Sequence, residues 1–280
     1  MEIGQKLMEI ANKTRKIKTK IELSIQISLN GLSFCILNKE TNTITFLKHF
    51  EKDKKLSPFD ALDFLKHLFN TEIELQQDFE TIHVIYVNDI STMVPKALFN
   101  EDLLADYLKF NSKILKSDFI AFDSIEINDS VNVYVPYVNI NNFIYDTFGS
   151  FTYSHFSTVL IEKILQLEKH ADDAKLYVNV NKGHFEIIVT DKGKLILYNT
   201  FEYSSKEDFI YYILFTAEQL KLNPEKIHLI FLGDINKESE LYTIAYKYIR
   251  HINFGTKLDT YNYTMKPKSN YLDFVLTQSF

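Results

Sequence analysis

The sequence has few of the residues that mark several classes of protein. Among its 280 residues are one cysteine, Cys35, seven glycines, five prolines and no tryptophan. One cysteine excludes an internal disulfide and favours a reducing cytoplasmic location, with Cys35 as a small core residue. So little glycine and proline excludes collagen-like and low-complexity chains. Because no stretch approaches about 18 consecutive apolar residues, we expect neither a membrane-spanning helix nor a signal peptide.

The composition is that of a globular chain without a strong charge. Hydrophobic residues make up 46% and charged residues 24%, and the formal net charge is −6. We therefore expect a folded core and no nucleic-acid partner. At this length the chain accommodates two lobes of ordinary domain size. Residues 1–20 predict a lead-in with a short amphipathic helix and a solvated basic cluster from Lys13 to Lys20.

One plan of strands and turns occurs twice. Leu176–Glu202 predicts three strands with tight turns at 181–183 and 191–193, and Leu23–Glu51 predicts three strands with turns near 30–31 and 39–42. A helix follows each stretch, and then a strand that begins Ile-His and ends in Asp, at 82–89 and 227–234. This order predicts two duplicated βββαβ units. When the two stretches are aligned on these Ile-His strands, His83 and His228 occupy the same position of the repeat.

Other patterns complete the two lobes. We predict helices at 100–113, 139–148, 157–168, 206–220 and 238–251, with Ser57, Asn100 and Ser157 as N-caps, and strands at 119–127, 131–135 and 151–153. The tail 261–280 is predicted to pack back on a lobe through Tyr271, Phe274, Val275 and Phe280. The predicted organisation is a lead-in at 1–20, a first lobe at 21–170 and a second lobe with the tail at 171–280.

This organisation resembles the actin/Hsp70/hexokinase-like ATPase superfamily, in its PilM/GspL-like branch. More closely, four segments look like those of an uncharacterised bacterial, Bacteroidetes-type family within this superfamily. They are Val94–Asn100, Val133–Pro136, Tyr198–Glu202 and Glu207–Ile213. The resemblance implies an α/β fold of two RNase H-like βββαβ lobes with a cleft between them. It brings no established function.

The resemblance also implies where nucleotide chemistry would lie. Active members carry an Asp-x-Gly-Thr pattern in the first turn and an Asp-x-Gly-Gly-x-Thr pattern in the second, whose acids hold hydrated Mg²⁺. Here Gln26 and Asn179 stand at the acidic positions, and Ser28 and Asn181 stand at glycine positions. A neutral amide has no charge and is not a general base, so we predict a degenerate site without catalytic residues or a bound metal.

A nucleotide, if one binds, would contact Asn30, Gly31, Asn181, Lys182, Gly183 and Gly233. ATP is the possible cofactor. Lys182 would pair with a phosphate, although an exposed hairpin lysine is the simpler interpretation. Asp89, Asp191 and Asp234 are either displaced metal ligands or turn acids. For His49, His155 and His184, the sequence reveals no carboxylate or cysteine partner.

Three functions remain open. The leading hypothesis is a non-catalytic interaction or scaffold protein with a protein partner or self-association, because Tyr211, Tyr212 and Phe215 extend the apolar surface of the helix at 206–220. Burial of these aromatics inside the fold is the alternative interpretation. The second hypothesis is a nucleotide-binding sensor that does not hydrolyse ATP efficiently. The third is an enzyme with unrecognised residues, since the hydrolase, P-loop and zinc motifs are missing from the sequence.

Overall fold

The described part of the chain forms two large sheets and one small sheet with helices around and between them. The computed structural model describes residues 20–110, 112–258, 260–269 and 271–280. The predicted lead-in helix and its basic cluster, except Lys20, lie outside these residues.

The first predicted βββαβ unit is confirmed. Its elements are β1 (Ile21–Ser28), β2 (Gly31–Asn38), β3 (Thr43–Glu51), α1 (Pro58–Thr71) and β4 (Thr81–Tyr86). The helix begins at the predicted cap, because the Ser57 hydroxyl accepts the Asp60 N–H and the Asp60 carboxylate accepts the Ser57 N–H.

Three helices, a small sheet and one edge strand of the first sheet follow. Their elements are β5 (Ser91–Pro95), α2 (Leu104–Lys109), β6 (Ala121–Ile125), β7 (Ser130–Tyr134), α3 (Val138–Phe148), β8 (Thr152–His155) and α4 (Phe156–Leu167). The helix predicted at 100–113 is wrong in extent, because a 3₁₀ turn at Glu101–Leu103 precedes the shorter α2. The Ser157 cap is also wrong: the His155 ring accepts the Ser157 N–H and caps α4. No sequence pattern indicates β5.

The second βββαβ unit is confirmed as well. Its elements are β9 (Lys175–Asn181), β10 (His184–Asp191), β11 (Lys194–Glu202), α5 (Lys206–Gln219) and β12 (His228–Gly233). The two units share an irregularity: the pairing with the third strand shifts register at the same position of the second strand, after Ile36 in β2 and after Val189 in β10. The lobe boundary near residue 170 stays a prediction, and that position lies between α4 and β9.

The chain ends with four short elements, which are α6 (Glu240–Tyr248), β13 (His251–Phe254), β14 (Asn262–Tyr263) and α7 (Phe274–Thr277). The helix predicted to reach 251 is too long, because β13 begins there and pairs in parallel with β12. The tail packs back as predicted, with Phe274 and Val275 each 2% exposed.

The sheets and helices form layers. The first sheet has the order β14-β3-β2-β1-β4-β8, the second β11-β10-β9-β12-β13, and the small sheet β5-β7-β6. Helices α1 and α3 pack on one face of the first sheet, and α5 and α6 on one face of the second. Helices α4 and α7 lie between the opposite face of the first sheet and the opposite face of the second, in a core that includes Cys35, Ile85 and Leu232. Cys35 is fully buried as predicted, and this burial raises the pKa of its thiol.

His83 and His228 do not occupy equivalent positions, contrary to the prediction. His83 pairs with Ser24 of β1. Tyr177 corresponds to Ser24 in the second unit, and its partner in β12 is Ile230. His228 lies two positions before Ile230, at the start of its strand. The Ile-His letters therefore match in sequence but not in the register of the sheets.

Candidate site between the two hairpins

The first hairpin places Gln26 in the middle of the first sheet. Gln26 is half-buried on β1, between Ser33 of β2 and Ile85 of β4. The Asn30 carbonyl at the tip of the turn accepts the N–H of Lys52 at 2.8 Å. At Gly31 a Cβ would lie 2.5 Å from the Phe50 carbonyl oxygen, so glycine is required by the close approach of β3.

The second hairpin holds a buried carboxylate that the sequence reasoning missed. Glu186 of β10 is 3% exposed and lies directly opposite Asn179 of β9. The side-chain amides of Asn179 and Asn181 donate to one Glu186 oxygen, at 2.8 and 3.1 Å. Burial raises the pKa of Glu186, and His184, with Nε2 at 3.5 Å from the other oxygen, acts in the opposite direction. Asn179 therefore orders an acid on the neighbouring strand.

A signal for Glu186 was present in the sequence. A two-residue turn at Lys182-Gly183 fixes the antiparallel register, so that Asn179 must face Glu186. The same carboxylate is also a neighbour of His184, because residues two positions apart on a strand point to the same face of the sheet.

The turn of the second hairpin reaches the first sheet. Lys182 Nζ lies 3.8 Å from a carboxylate oxygen of Glu51, at the end of β3. Both side chains are more than two-thirds exposed, so this ion pair contributes at most about 1 kcal/mol. Gly183 has φ +82°, and a Cβ there would meet no atom within 4 Å. The turn therefore brings a cation beside an acid of the other sheet and leaves its tip open.

Gly233 is a point of close backbone contact. Its φ is +79°, and a Cβ would lie 2.2 Å from the Val180 carbonyl oxygen. Its N–H donates to the Tyr271 carbonyl at 2.9 Å, and the next N–H, of Asp234, donates to Val180 at 2.8 Å. Packing between strands explains this glycine, and its amide is already engaged by the C-terminal segment.

The C-terminal segment occupies space between the two sheets. Asp273, whose side chain is 7% exposed, accepts a hydrogen bond from His49 Nε2 at 2.8 Å, and His49 Nδ1 is 2.8 Å from the Ser33 hydroxyl. Ser279 bonds Ser24 of β1 at 2.7 Å. The bond to Asp273 raises the pKa of His49, and the charges of Glu51 and Asp234 add to this rise. The segment is therefore tied to the first sheet at both ends of α7.

The six predicted nucleotide-contacting residues lie at the two hairpin turns and at the end of β12. Asn30 and Gly31 lie at the first turn, and Asn181, Lys182 and Gly183 lie at the second; Gly233 is the last residue of β12 and pairs with Val180 of β9. One surface groove, of about 670 Å³, is lined by α1 and α3, and another, of about 480 Å³, is lined by the C-terminal end of α5. None of the six predicted nucleotide-contacting residues lines either groove. Within the described ranges, no group of three or more His, Cys, Asp and Glu side chains is placed to hold a metal ion.

The predicted aromatic face on α5 is divided. Tyr211 is 58% exposed and Phe215 is 42% exposed, and their rings stack at 5.9 Å. Tyr212 instead packs flat on Phe201 of β11 at 4.7 Å. Two of the three aromatics therefore face outward, and the third joins them to the edge of the second sheet. Among the residues that the structure describes, no helix is long and apolar enough to cross a membrane.

The fold and this inter-sheet site define an α/β protein with the actin-like ATPase fold. A Bacteroides thetaiotaomicron protein with actin-like ATPase fold and unknown function is 25% identical, with a TM-score of 0.76 over 85% of this chain and 91% of that one. A structure of the PilM-PilN type IV pilus biogenesis complex matches at 10% identity, with a TM-score of 0.59 over 93% and 97%. The ethanolamine utilization protein EutJ from Carboxydothermus hydrogenoformans matches at 10% identity, with a TM-score of 0.50 over 99% and 97%. The predicted fold class is thus confirmed.

The particular family follows from the sequence. The model of the family described as protein of unknown function DUF3822 matches residues 11–252, and the chain belongs to this family. A sequence search of curated proteins found no match.

Proposed function

We propose that this chain is a non-catalytic, pseudo-ATPase module that acts as an interaction or scaffold protein in the cytoplasm. The observation that carries the proposal is the Asn179 amide, which donates to Glu186 at 2.8 Å. At this position the superfamily pattern implies an acid that holds hydrated Mg²⁺. An amide whose N–H is turned toward a buried carboxylate offers that cation no charge and at most its single oxygen.

The surrounding charges support the same proposal. His49 lies among Asp273, Glu51 and Asp234, and Lys182 is paired with Glu51. The phosphates of ATP would meet these carboxylates without the cation that normally screens them. In addition, the Gly233 amide is held by the Tyr271 carbonyl, so its N–H is not available to a ligand.

An ATP hydrolysis assay at saturating Mg²⁺ and ATP tests the proposal. We expect no phosphate release above that of a matched blank. The control is the double variant Asn30→Ala/Gly183→Ala, which alters both hairpin turns. Turnover by the wild type that disappears in this variant would contradict the proposal. Turnover that persists in both proteins would indicate either a contaminating enzyme or an active site that does not use these turns.

A nucleotide sensor is the second candidate, and the open tip of the second hairpin favours it. Lys182 and Gly183 leave space for an anion there, since a Cβ on Gly183 would meet nothing. A ligand that binds the native state raises its apparent stability, so unfolding is measured with ATP, with ADP and without ligand. A rise in the unfolding temperature that Lys182→Ala abolishes supports the sensor. A flat series rejects it.

A further inference from the structure

The groove of about 670 Å³ on the helical side of the first sheet has an aromatic floor and a polar rim. The Phe69 ring lies 6.1 Å from that of Phe143 and 5.1 Å from that of Phe148. Phe143 and Phe148 are only half-buried, and Lys66 Nζ lies 5.5 Å from the centroid of the Phe143 ring. The other polar side chains of the rim are exposed, and they are Asn70, Gln76, Gln77, Asp78 and Thr147. An apolar floor between polar edges is the surface on which an amphipathic helix binds.

The chain enters β1 beside this groove. The Ile21 carbonyl accepts the Glu80 N–H at 2.8 Å, and Asp78 of the rim precedes Glu80 by two residues. The Ile21 side chain packs on the same core cluster as Phe69 of the floor. Residues 1–19 therefore join the described part of the chain next to the groove and on the same side of the sheet.

The lead-in carries an apolar stripe that suits such a groove. Four apolar residues recur at helical spacing and share one face of a helix over 3–17, namely Ile3, Leu7, Ile10 and Ile17. A helix of this length extends about 22 Å and is marginal alone in water, so it needs an apolar surface to pack on. Asp78 lies within about 7 Å of Glu80, and Ile17 within about 11 Å of Lys20, because extended chain advances at most about 3.6 Å per residue. The stripe can therefore reach the floor from the start of β1.

Charge favours the lead-in as the occupant. Residues 1–19 contain five Lys or Arg and two Glu, which gives a net charge of +3. Residues 71–80, whose central part forms one wall of the groove, contain no Lys or Arg and four acids, Glu72, Glu74, Asp78 and Glu80. On the predicted helix Lys6 and Lys13 lie directly beside the apolar stripe, so they can face this acidic wall while the stripe faces the floor.

We propose that residues 3–17 dock as an amphipathic helix in the groove between α1 and α3 of the same chain, with Ile10 and Ile17 on the aromatic floor. The docked lead-in buries the exposed parts of Phe143 and Phe148 and closes the groove to other ligands. This docking goes beyond the proposed interaction function and does not depend on whether the chain hydrolyses ATP.

Tryptophan fluorescence of the full chain tests the docking, because the sequence has no tryptophan of its own. Ile10→Trp places one in the stripe, and Asn12→Trp places one on the opposite face of the same predicted helix. Acrylamide is expected to quench the first several-fold less than the second. Equal quenching would overturn the proposal. Protection of Ile10→Trp that is lost on dilution would also overturn it, because the groove would then hold the lead-in of a second copy.

A matched pair of variants tests whether the stripe is buried in this groove. Thr147→Arg puts a long cationic side chain into the groove, and Thr243→Arg makes the same change on α6. Both threonines are exposed, and each hydroxyl donates to the carbonyl four residues earlier. We expect Thr147→Arg to raise the quenching of Ile10→Trp to that of Asn12→Trp, and Thr243→Arg to leave it unchanged. Equal effects of the two variants would contradict docking at this place.

Amide hydrogen exchange gives a second measurement, which needs no substitution in the lead-in. The amides of residues 7–17 are expected to exchange several-fold more slowly in the wild type than in Thr147→Arg, because docking protects the hydrogen bonds of the helix. Equal exchange in the two proteins would overturn the proposal.

Discussion

Replacing Asn179 by aspartate introduces the missing acid directly beside Glu186. The Asn179 amide nitrogen is 2.8 Å from a Glu186 oxygen, and both residues are 3% exposed. A carboxylate at this distance removes a hydrogen bond and adds like-charge repulsion. Two unit charges about 4 Å apart repel by about 4 kcal/mol at an effective dielectric constant of 20.

The variant avoids part of this repulsion by binding a proton. Holding a proton at pH 7 on a carboxyl with an ordinary pKa costs about 3–4 kcal/mol, and the pKa of Glu186 is already raised by burial. We therefore expect Asn179→Asp to lower the free energy of unfolding at pH 7 by about 2–3 kcal/mol, or the unfolding temperature by roughly 5–10 °C.

The loss of stability in Asn179→Asp is expected to depend on pH in a definite direction. The carboxyl pair has raised pKa values in the folded variant, so the folded state binds more protons than the unfolded chain near neutral pH. Stability then falls as the pH rises, and the loss relative to wild type shrinks on acidification toward about pH 4 to 5. Urea denaturation at several pH values measures this directly.

Two controls separate electrostatics from packing. Asn199→Asp makes the same chemical change at an exposed position of β11 and is expected to cost little. In Asn179→Asp/Glu186→Gln the second carboxylate is gone, so most of the lost stability returns. A single Asn179→Asp variant as stable as Asn199→Asp at pH 7, or a loss independent of pH, would refute the reasoning.

Three other substitutions test neighbouring features. Glu186→Gln is expected to raise stability at neutral pH, because the folded state of the wild type disfavours the charged acid; the gain appears as the pH rises above the ordinary carboxyl pKa. His49→Gln keeps polar contact with Asp273 but cannot be charged, so we expect it to lower the free energy of unfolding by about 1 kcal/mol below pH 6.5. The difference in stability from the wild type fades as the pH rises through the raised pKa of His49. Gly233→Ala is expected to cost more than about 3 kcal/mol, because its Cβ would meet a carbonyl oxygen at 2.2 Å, whereas Gly149→Ala, with φ +84° and open space, costs about 1–2 kcal/mol.

The same denaturation measurements decide each case. For Glu186 the control is Glu207→Gln on the exposed side of α5, and an unchanged stability at pH 7 would contradict the expected gain. For His49 the control is the exposed His67→Gln, and a loss that grows with pH would reverse the expected sign. For Gly233, equal costs at the two glycines would show that the close approach is relaxed in solution.

Local patterns were sufficient for the two βββαβ units. The two-residue turn at Lys182-Gly183 and the cap at Ser57 depend on residues within a few positions of each other, so the sequence predicts them. The replacement of an acid by Asn179 is likewise visible without a structure.

Elements that depend on a distant partner were missed. β13 (His251–Phe254) is a strand because it pairs with β12 along one edge, and the helix predicted at 238–251 overlapped its first residue. The shared Ile-His letters at His83 and His228 suggested one repeated position, but strand register is fixed by pairing with β1 and β9.

The sequence by itself determined the order of strands and helices within the two βββαβ units and the absence of charge at Gln26 and Asn179, because local turns, periodicity and residue identity are properties of neighbouring residues. Only the tertiary structure decided what surrounds those amides. Glu186 meets Asn179 through strand pairing, and Asp273 reaches His49 from the far end of the chain because α7 packs between two sheets. Burial and long-range contact are cooperative results of folding, so no single stretch of sequence encodes them.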